Sequence, residues 1–278
     1  MPFKVAASDG HGLGAALGLL FFVAILFSPW ACLRFPQMHK QARRATFSLS
    51  WRLGIAAALG NVAQGLAYDL LHAGVASTFT QMNVLFVSLL SVLWLGERLR
   101  LGLGLGIGLA LTGVVLSQWP AIAGHFSWNM GVLWAVLAAF GFSWLDILSR
   151  RDSRGVDTVV TNVGRSWVAT LLLCLIPGAL HQFLDMSLVQ ICSCALAALL
   201  GPGLGRILLI SASRDLPAAE SALLQQLRPP LAIPLTSVVF GVWPTVWQWW
   251  GSGLVAAGVV IPLLLALYQR RSSGPSYR

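Results

Sequence analysis

The sequence is short of charge. Asp, Glu, Lys and Arg together make up 10% of the 278 residues, whereas an average soluble domain has roughly 25%. Acidic residues are the scarcest, because nine Asp and Glu stand against 18 Lys and Arg, for a formal net charge of +9. This deficit excludes an ordinary cytosolic protein and a charged disordered chain.

Cysteine is also scarce, which excludes a disulfide scaffold. The four cysteines all lie within apolar runs, and Cys192 and Cys194 would point to different faces of a helix. We therefore interpret them as small packing residues and predict no metal site and no cofactor.

The histidines lie in loops or at segment ends, and the chain has no HExxH motif, paired inward Asp or Ser beside a base. An intramembrane enzyme is therefore the least favoured class.

Apolar residues are abundant, at 57% of the chain with a mean hydropathy of +0.77. A helix needs about 20 apolar residues to cross the ~30 Å hydrocarbon core of a bilayer. The sequence predicts an all-α, polytopic integral membrane protein with nine spans. They lie near 12–33, 49–71, 76–96, 101–119, 129–149, 160–182, 190–212, 217–241 and 246–268.

The basic residues predict the orientation, because short cytoplasmic loops are rich in Lys and Arg. The first segment continues to Leu33 without a cleavage site and meets a basic loop, so we expect a retained helix. With that loop in the cytoplasm, the amino terminus is outside, the carboxyl terminus is cytoplasmic, and 14 of the 18 basic residues are inside. The 14 are Arg34, Lys40, Arg43, Arg44, Arg52, Arg98, Arg100, Arg150, Arg151, Arg154, Arg214, Arg270, Arg271 and Arg278. Short basic clusters between apolar runs fit a membrane surface and not nucleic acid.

The chain repeats itself at an offset of 145 residues. This register aligns Gly60 with Gly205, Gln81 with Gln226, Gly106 with Gly251 and Gly113 with Gly258. Matched segments run in opposite senses under the predicted orientation, so the repeats are inverted, an arrangement that places a substrate site near the midplane. We assign residues 1–126 to a first repeat of four spans and residues 127–278 to a second repeat of five. The partner of span 129–149 would precede the chain.

Several motifs resemble the EamA type of the drug/metabolite transporter superfamily. The run Leu95-Gly96-Glu97-Arg98-Leu99, with Gly106 and Gly113-Val114-Val115, resembles the fourth-to-fifth helix signature of a repeat. Pro217-Ala218-Ala219 through Leu227-Arg228-Pro229, with Gly251 to Gly258, resembles its second-repeat counterpart. Ser143-Trp144 through Ser149-Arg150-Arg151 is similar to the opening helix of a repeat.

The resemblance implies ten helices and alternating-access movement of a small metabolite, often as export. We expect a transporter of the bacterial inner membrane, with a non-transporting scaffold or a truncated transporter as the alternative. Three departures from the family pattern are expected: no span corresponds to the family's first helix, Val84 replaces the family's proline, and Val242 stands where the first repeat has Glu97.

Polar side chains within the predicted spans are the candidate site residues, because they are costly in a bilayer. Asn61, Gln64 and Tyr68 share one helix face, as do Thr78 and Gln81 on the next span. The repeat relates Asn61 to Arg206 and Gln81 to Gln226. We expect these stripes to converge on a central cavity, with interhelical hydrogen bonding as the alternative.

Two arginines within spans, Arg206 and Arg228, carry a charge that burial does not remove. They would favour an anionic or zwitterionic substrate, or would instead pair with Asp146 or Glu220. Those two acids are also the candidates for coupling.

The fourth predicted span contains two overlapping GxxxG patterns. They are formed by Gly102, Gly104, Gly106 and Gly108. They predict close helix packing, either within the chain or in a homodimer.

Overall fold

A computed structural model of the protein describes residues 11–97, 101–125, 128–228, 230–231, 243 and 245–272. Regular structure in this part of the chain is entirely helical, which confirms the all-α class. The α-helices are α1 (Gly12–Arg34), α2 (Lys40–Leu70), α3 (Ala73–Thr80), α4 (Asn83–Leu95), α5 (Leu101–Ser117), α6 (Trp119–His125), α7 (Met130–Asp152), α8 (Thr158–Cys174), α9 (Ala179–Leu184), α10 (Leu188–Ala198), α11 (Arg206–Ala212), α12 (Ala218–Gln225) and α13 (Val246–Ser272). A 3₁₀ turn, Phe35–Gln37, follows α1, and a π-helical segment, Leu199–Gly205, joins α10 to α11.

Four helical stretches in the described chain are long and apolar enough to cross a bilayer. They are Gly12–Gln37, Gly74–Leu95, Met130–Asp152 and Leu188–Ala212. Leu101–Ser117 is apolar but shorter. The predicted span 217–241 is described only in its first part, and Lys4, Arg98, Arg100 and Val242 lie outside the described residues. The count of nine spans therefore stays a prediction.

Four predicted spans are interrupted helices. In span 217–241, α12 ends at Gln225 and two turn residues precede the next helical residue, Arg228. The span 76–96 divides between α3 and α4, and the span 160–182 breaks between α8 and α9, where Gly178 follows Pro177 and has φ +85°. The span 190–212 widens into the π-helical segment around Pro202. Proline removes a backbone donor and clashes with the preceding turn, and a wider turn relieves that clash. Apolar length alone does not reveal such breaks.

Helices α5 and α13 pack through the glycines that the repeat relates. A Cβ atom at Gly113 would lie 2.6 Å from the carbonyl oxygen of Gly251, and one at Gly251 would lie 2.5 Å from that of Gly113. Gly106 and Gly258 make the equivalent approach. By contrast, Cβ atoms at Gly104 and Gly108 would meet nothing within 4 Å. Part of the glycine pattern therefore serves packing within the chain, and the homodimer stays a prediction.

The two predicted repeats interlock through α2, which packs against both α7 and α8. Gly60 of α2 faces Gly141 of α7, where an added Cβ would lie 2.8 Å from the Gly60 backbone. Buried leucines of α1 and α2, including Leu17, Leu20 and Leu53, form the main apolar core with residues of α7 and α8. Elements that are far apart in sequence are thereby fixed as neighbours.

Ion pairs join helix ends at one end of the bundle. Arg52 lies 2.7 Å from Asp152, and Arg34 lies 3.2 Å from Asp157. All these residues belong to the loops and helix ends that the sequence predicts to be cytoplasmic. The contacts therefore agree with these residues lying on the same side of the membrane. Which side that is stays a prediction.

A second network at this end involves Glu97. Gly96 ends α4 in the left-handed conformation, with φ +64°, and turns the chain so that Glu97 lies 3.2 Å from Arg150. The other Glu97 oxygen accepts a 2.9 Å hydrogen bond from the backbone N–H of Ala218, at the start of α12. Arg150 also donates to the carbonyl oxygens of Ser213 and Arg214. Glu97 thus connects α4 with the helices of the second repeat.

Candidate functional site

Two helix breaks meet inside the bundle at positions related by the repeat. Nε2 of Gln226 lies 3.5 Å from the carbonyl oxygen of Gln81 and 3.4 Å from Oδ1 of Asn83. Gln226 is only 3% exposed, and its Oε1 has no hydrogen-bond partner among the described residues. Irregular backbone at membrane depth occurs where protein buries it or where it lines a cavity. Because Gln226 is buried, protein packs against these breaks in the structure, and the cavity that the sequence predicts here stays a prediction.

A group of charged side chains lies beside these breaks. Nη1 of Arg206 is 2.6 Å from Oδ1 of Asp146, and each side chain is only 10% exposed. Nη2 of Arg206 donates to the Ser149 hydroxyl at 3.2 Å. Asp146 is thus the partner of Arg206. Pairing with Asp146 is one of the alternatives that the sequence predicts for this arginine.

The same carboxylate extends the network to α12. Nε2 of Gln225 lies 3.3 Å from Oδ2 of Asp146, and Arg228 donates to Oε1 of Gln225 at 2.8 Å. Arg228 is exposed at its end of this chain of contacts. The network therefore runs from a buried ion pair to an arginine that is exposed as a residue.

Arg165 on α8 is a buried charged residue that the sequence analysis did not include among the candidate site residues. It is 2% exposed, and its Nε and Nη2 donate to Oδ1 of Asn162 at 3.2 and 3.0 Å. Ser166 is a weaker partner at 3.5 Å. The signal that could have found it is its position inside an apolar span, where an ionisable residue is by itself a site hypothesis.

We call Arg165, Arg206, Arg228 and Asp146 the arginine cluster. Arg165 joins the cluster through Asn162, whose amide donates to the carbonyl oxygens of Pro202 and Gly203 just before Arg206. Arg228 joins it through Gln225. Asp146 lies six residues before the end of α7, which is about 9 Å along the helix axis. The cluster thus brings three arginines to one carboxylate, with Arg165 buried, the Arg206–Asp146 pair 10% exposed and Arg228 exposed.

The remaining candidates lie apart from this network or bond locally. Asn61 donates to the Ala57 carbonyl oxygen of its own helix at 2.8 Å, and Thr78 donates to that of Gly74 at 2.9 Å. Gln64 and Tyr68 are half buried on α2, and Tyr68 packs against the buried cluster that includes Met186. The polar stripe on α2 is therefore partly satisfied by its own backbone.

Glu220, the second coupling candidate, occupies the first turn of α12 and is half buried. It makes none of the ion pairs found within the described chain. Its acidic charge near a helix amino terminus is electrostatically favourable without a partner. Asp146 is therefore the acid that the structure brings to the arginines.

The chain matches the EamA-like transporter family over residues 4–119 and 129–264. It belongs to that family. The resemblance drawn from the motifs is thereby confirmed, and this EamA-family protein is a multi-pass membrane protein of the drug/metabolite transporter type. Its apolar exterior suits a bilayer, since Leu93, Leu105 and Leu208 are 66%, 71% and 69% exposed.

A solved structure described only as the crystal structure of a protein shares the fold. The TM-score is 0.74 at 20% identity, and the alignment covers 96% of each chain. At this identity the likeness shows the fold alone. A search of curated proteins finds no match to this chain.

Proposed function

We propose that this EamA-family protein is a secondary transporter that exports a small anionic or zwitterionic metabolite across the bacterial inner membrane by alternating access, with its carboxyl terminus in the cytoplasm. The observation that carries the proposal is the excess of buried positive charge beside two helix breaks. Members of the same family are transporters, which makes transport the first activity to test.

The helix breaks support the alternating-access part of the proposal. Gln81 and Gln226 are 145 residues apart and make contact, so the two repeats meet where each has an interrupted helix. Inverted repeats of this kind rock against one another around a site near the midplane. The inner half-helices α4 and α12 share a buried apolar cluster with Val87 and Leu223, and separating them would open one end of such a site.

The charge excess supports the substrate class. Asp146 neutralises at most one of the three guanidinium groups, and Arg stays protonated in proteins. A carboxylate or phosphate on the substrate would supply the missing negative charge. Arg228, the exposed residue of the cluster, is suited to meet that group first, and the Arg206 guanidinium, whose buried Nε has no hydrogen-bond partner among the described residues, is suited to hold it.

Counterflow in proteoliposomes tests this proposal. Vesicles would be loaded in turn with a monocarboxylate, a dicarboxylate, an amino acid, phosphate, a neutral amide or an organic cation, and uptake of the labelled compound would be followed. We expect uptake for at least one anionic or zwitterionic compound and none for the cation. Arg206→Gln should abolish that uptake, whereas Arg52→Gln, which removes an ion pair at the helix ends, should retain it.

Cation uptake that Arg206→Gln leaves intact would contradict the substrate class. An absence of counterflow for every compound would contradict transport itself and favour the scaffold alternative.

A further inference from the structure

Arg165 is a charged side chain with only neutral partners. Its hydrogen bonds among the described residues go to the Asn162 amide and the Ser166 hydroxyl. Both partners are 0% exposed, as is Thr161 next to them. An isolated charge in such surroundings costs several kcal/mol unless a counter-charge or several strong acceptors meet it.

The nearest ion pair does not remove this cost. Asp146 already accepts from Arg206 and Gln225, and the Arg206 guanidinium repels that of Arg165. Moreover, Nε of Arg206 is buried and has no hydrogen-bond partner among the described residues. Arg206 therefore retains an unused donor, and the two arginines together carry one positive charge that no carboxylate among the described residues pairs with.

The backbone beside Arg165 is irregular as well. Nδ2 of Asn162 donates to the carbonyl oxygens of Pro202 and Gly203 at 3.0 and 3.3 Å, and both belong to the π-helical segment. Arg206 begins α11 directly after this segment. Because π-helical turns are rare and are frequent at functional sites, the π-helical segment is an independent indication that the backbone is shaped here for a ligand.

We propose that Arg165 and Arg206 form a binding site for one oxyanion group of carboxylate or phosphate type. This inference rests on the proposed function, since it assigns the charged group of the transported metabolite to a place in the bundle. Guanidinium groups bind both oxyanions through paired N–H donors. Asp146 competes with the ligand for Arg206, so the site releases its anion when the ion pair forms.

The experiment measures the thermal stability of the purified protein in detergent by tryptophan fluorescence. Chloride is replaced stepwise by acetate or by phosphate at constant ionic strength, and acetamide serves as the neutral isostere of acetate. We expect a saturable rise of Tm of about 3 °C with at least one oxyanion and none with acetamide, because ligands that bind the folded state stabilise it. A rise of Tm with acetate but not with phosphate would identify a carboxylate site. A rise with phosphate but not with acetate would identify a phosphate site.

Variants separate the proposed site from general salt effects. Arg165→Gln should lose the oxyanion-dependent rise, whereas Arg165→Lys should retain a weaker one. Asp146→Asn should lower the midpoint oxyanion concentration about tenfold, because it frees Arg206. Arg52→Gln is the matched control and should behave as the wild type.

No saturable rise in the wild type, or an equal rise with acetamide, would overturn the site. The site would also be overturned if Arg165→Gln kept the full oxyanion-dependent rise of Tm, or if Asp146→Asn left the midpoint oxyanion concentration unchanged or higher. If Arg165→Gln fails to fold, Arg165→Lys and Asp146→Asn still decide. The measurement needs no transport, so an oxyanion effect without counterflow leaves the site standing and refutes only the transport proposal.

Discussion

The two repeats agree in packing and differ in charge. The glycines that hold α5 against α13 recur at the 145-residue offset, and so do Gln81 and Gln226. The arginine cluster, by contrast, belongs entirely to the second repeat. The first-repeat positions equivalent to Arg165, Arg206 and Arg228 are Leu20, Asn61 and Asn83.

This difference separates scaffold from function. Features that both repeats share are those that two inverted repeats need in order to pack together. Charge found in only one repeat is instead expected to serve a function that the repeats do not share. At the helix ends, Arg34 and Arg52 each have a carboxylate within 3.2 Å. Among the described residues, the arginine cluster has three arginines and one carboxylate, and unmatched charge costs more inside the bundle than at its ends. We therefore propose that this charge serves the site and not the scaffold.

The largest expected effect is on packing, and it should be equal in the two repeats. Gly251→Leu and Gly106→Leu place a side chain against backbone of the facing helix, and overpacking of this kind costs 1–3 kcal/mol or more. We expect both variants to lose most of their folded yield, measured by size-exclusion chromatography.

Matched controls are available on the same helices. Cβ atoms at Gly253 and Gly108 meet nothing within 4 Å, so Gly253→Leu and Gly108→Leu should fold normally. A clear difference between Gly251→Leu and Gly106→Leu would contradict a shared scaffold.

The second largest expected effect is on transport, and equivalent substitutions in the two repeats should reduce transport to different extents. Arg206→Gln should reduce counterflow at least tenfold, because it removes the charge and the paired donors. Asn61→Ala, at the equivalent position of the first repeat, should reduce counterflow less than threefold, because Asn61 donates to its own helix. Equal losses in the two variants would show that the asymmetry is not functional.

A smaller effect is expected at the helix ends. Glu97→Gln weakens both the pair with Arg150 and the bond to the Ala218 N–H. Charge-assisted contacts of this partly buried kind contribute about 1–2 kcal/mol, so Tm should fall by a few degrees. Asp152→Asn, which breaks a more exposed pair with Arg52, should lower Tm by less than Glu97→Gln does. A larger fall of Tm in Asp152→Asn would contradict the role assigned to Glu97.

Much of the fold was predictable because it follows from composition and periodicity. Long apolar runs predict helices, and the constant offset relates Gly106 to Gly251 and Gly113 to Gly258 as equivalent positions and predicts that Gln81 and Gln226 lie together. The glycine contacts themselves, Gly113 with Gly251 and Gly106 with Gly258, come from the structure. The helix interruptions were not predictable from apolar length. Val84 stands where proline would have marked the break between α3 and α4, and Pro202 widens its helix without ending it.

The candidate site was predictable only in part. Arg206 and Asp146 stood out because each is a charge within a span, and pairing was one alternative for them. Arg165 also lies within a span, but its hydrogen-bond partners Asn162 and Ser166 are not evident from the sequence. That no carboxylate among the described residues pairs with it emerges only from the assembled bundle.

We propose that Arg206 serves an anionic substrate and not only its partner Asp146. Counterflow by the double variant Arg206→Gln with Asp146→Asn tests it most directly, because the neutral pair removes the unmatched carboxylate that Arg206→Gln alone would leave buried. Our account predicts a wild-type folded yield with no uptake of the anionic or zwitterionic compound. Wild-type uptake by the folded double variant would contradict it.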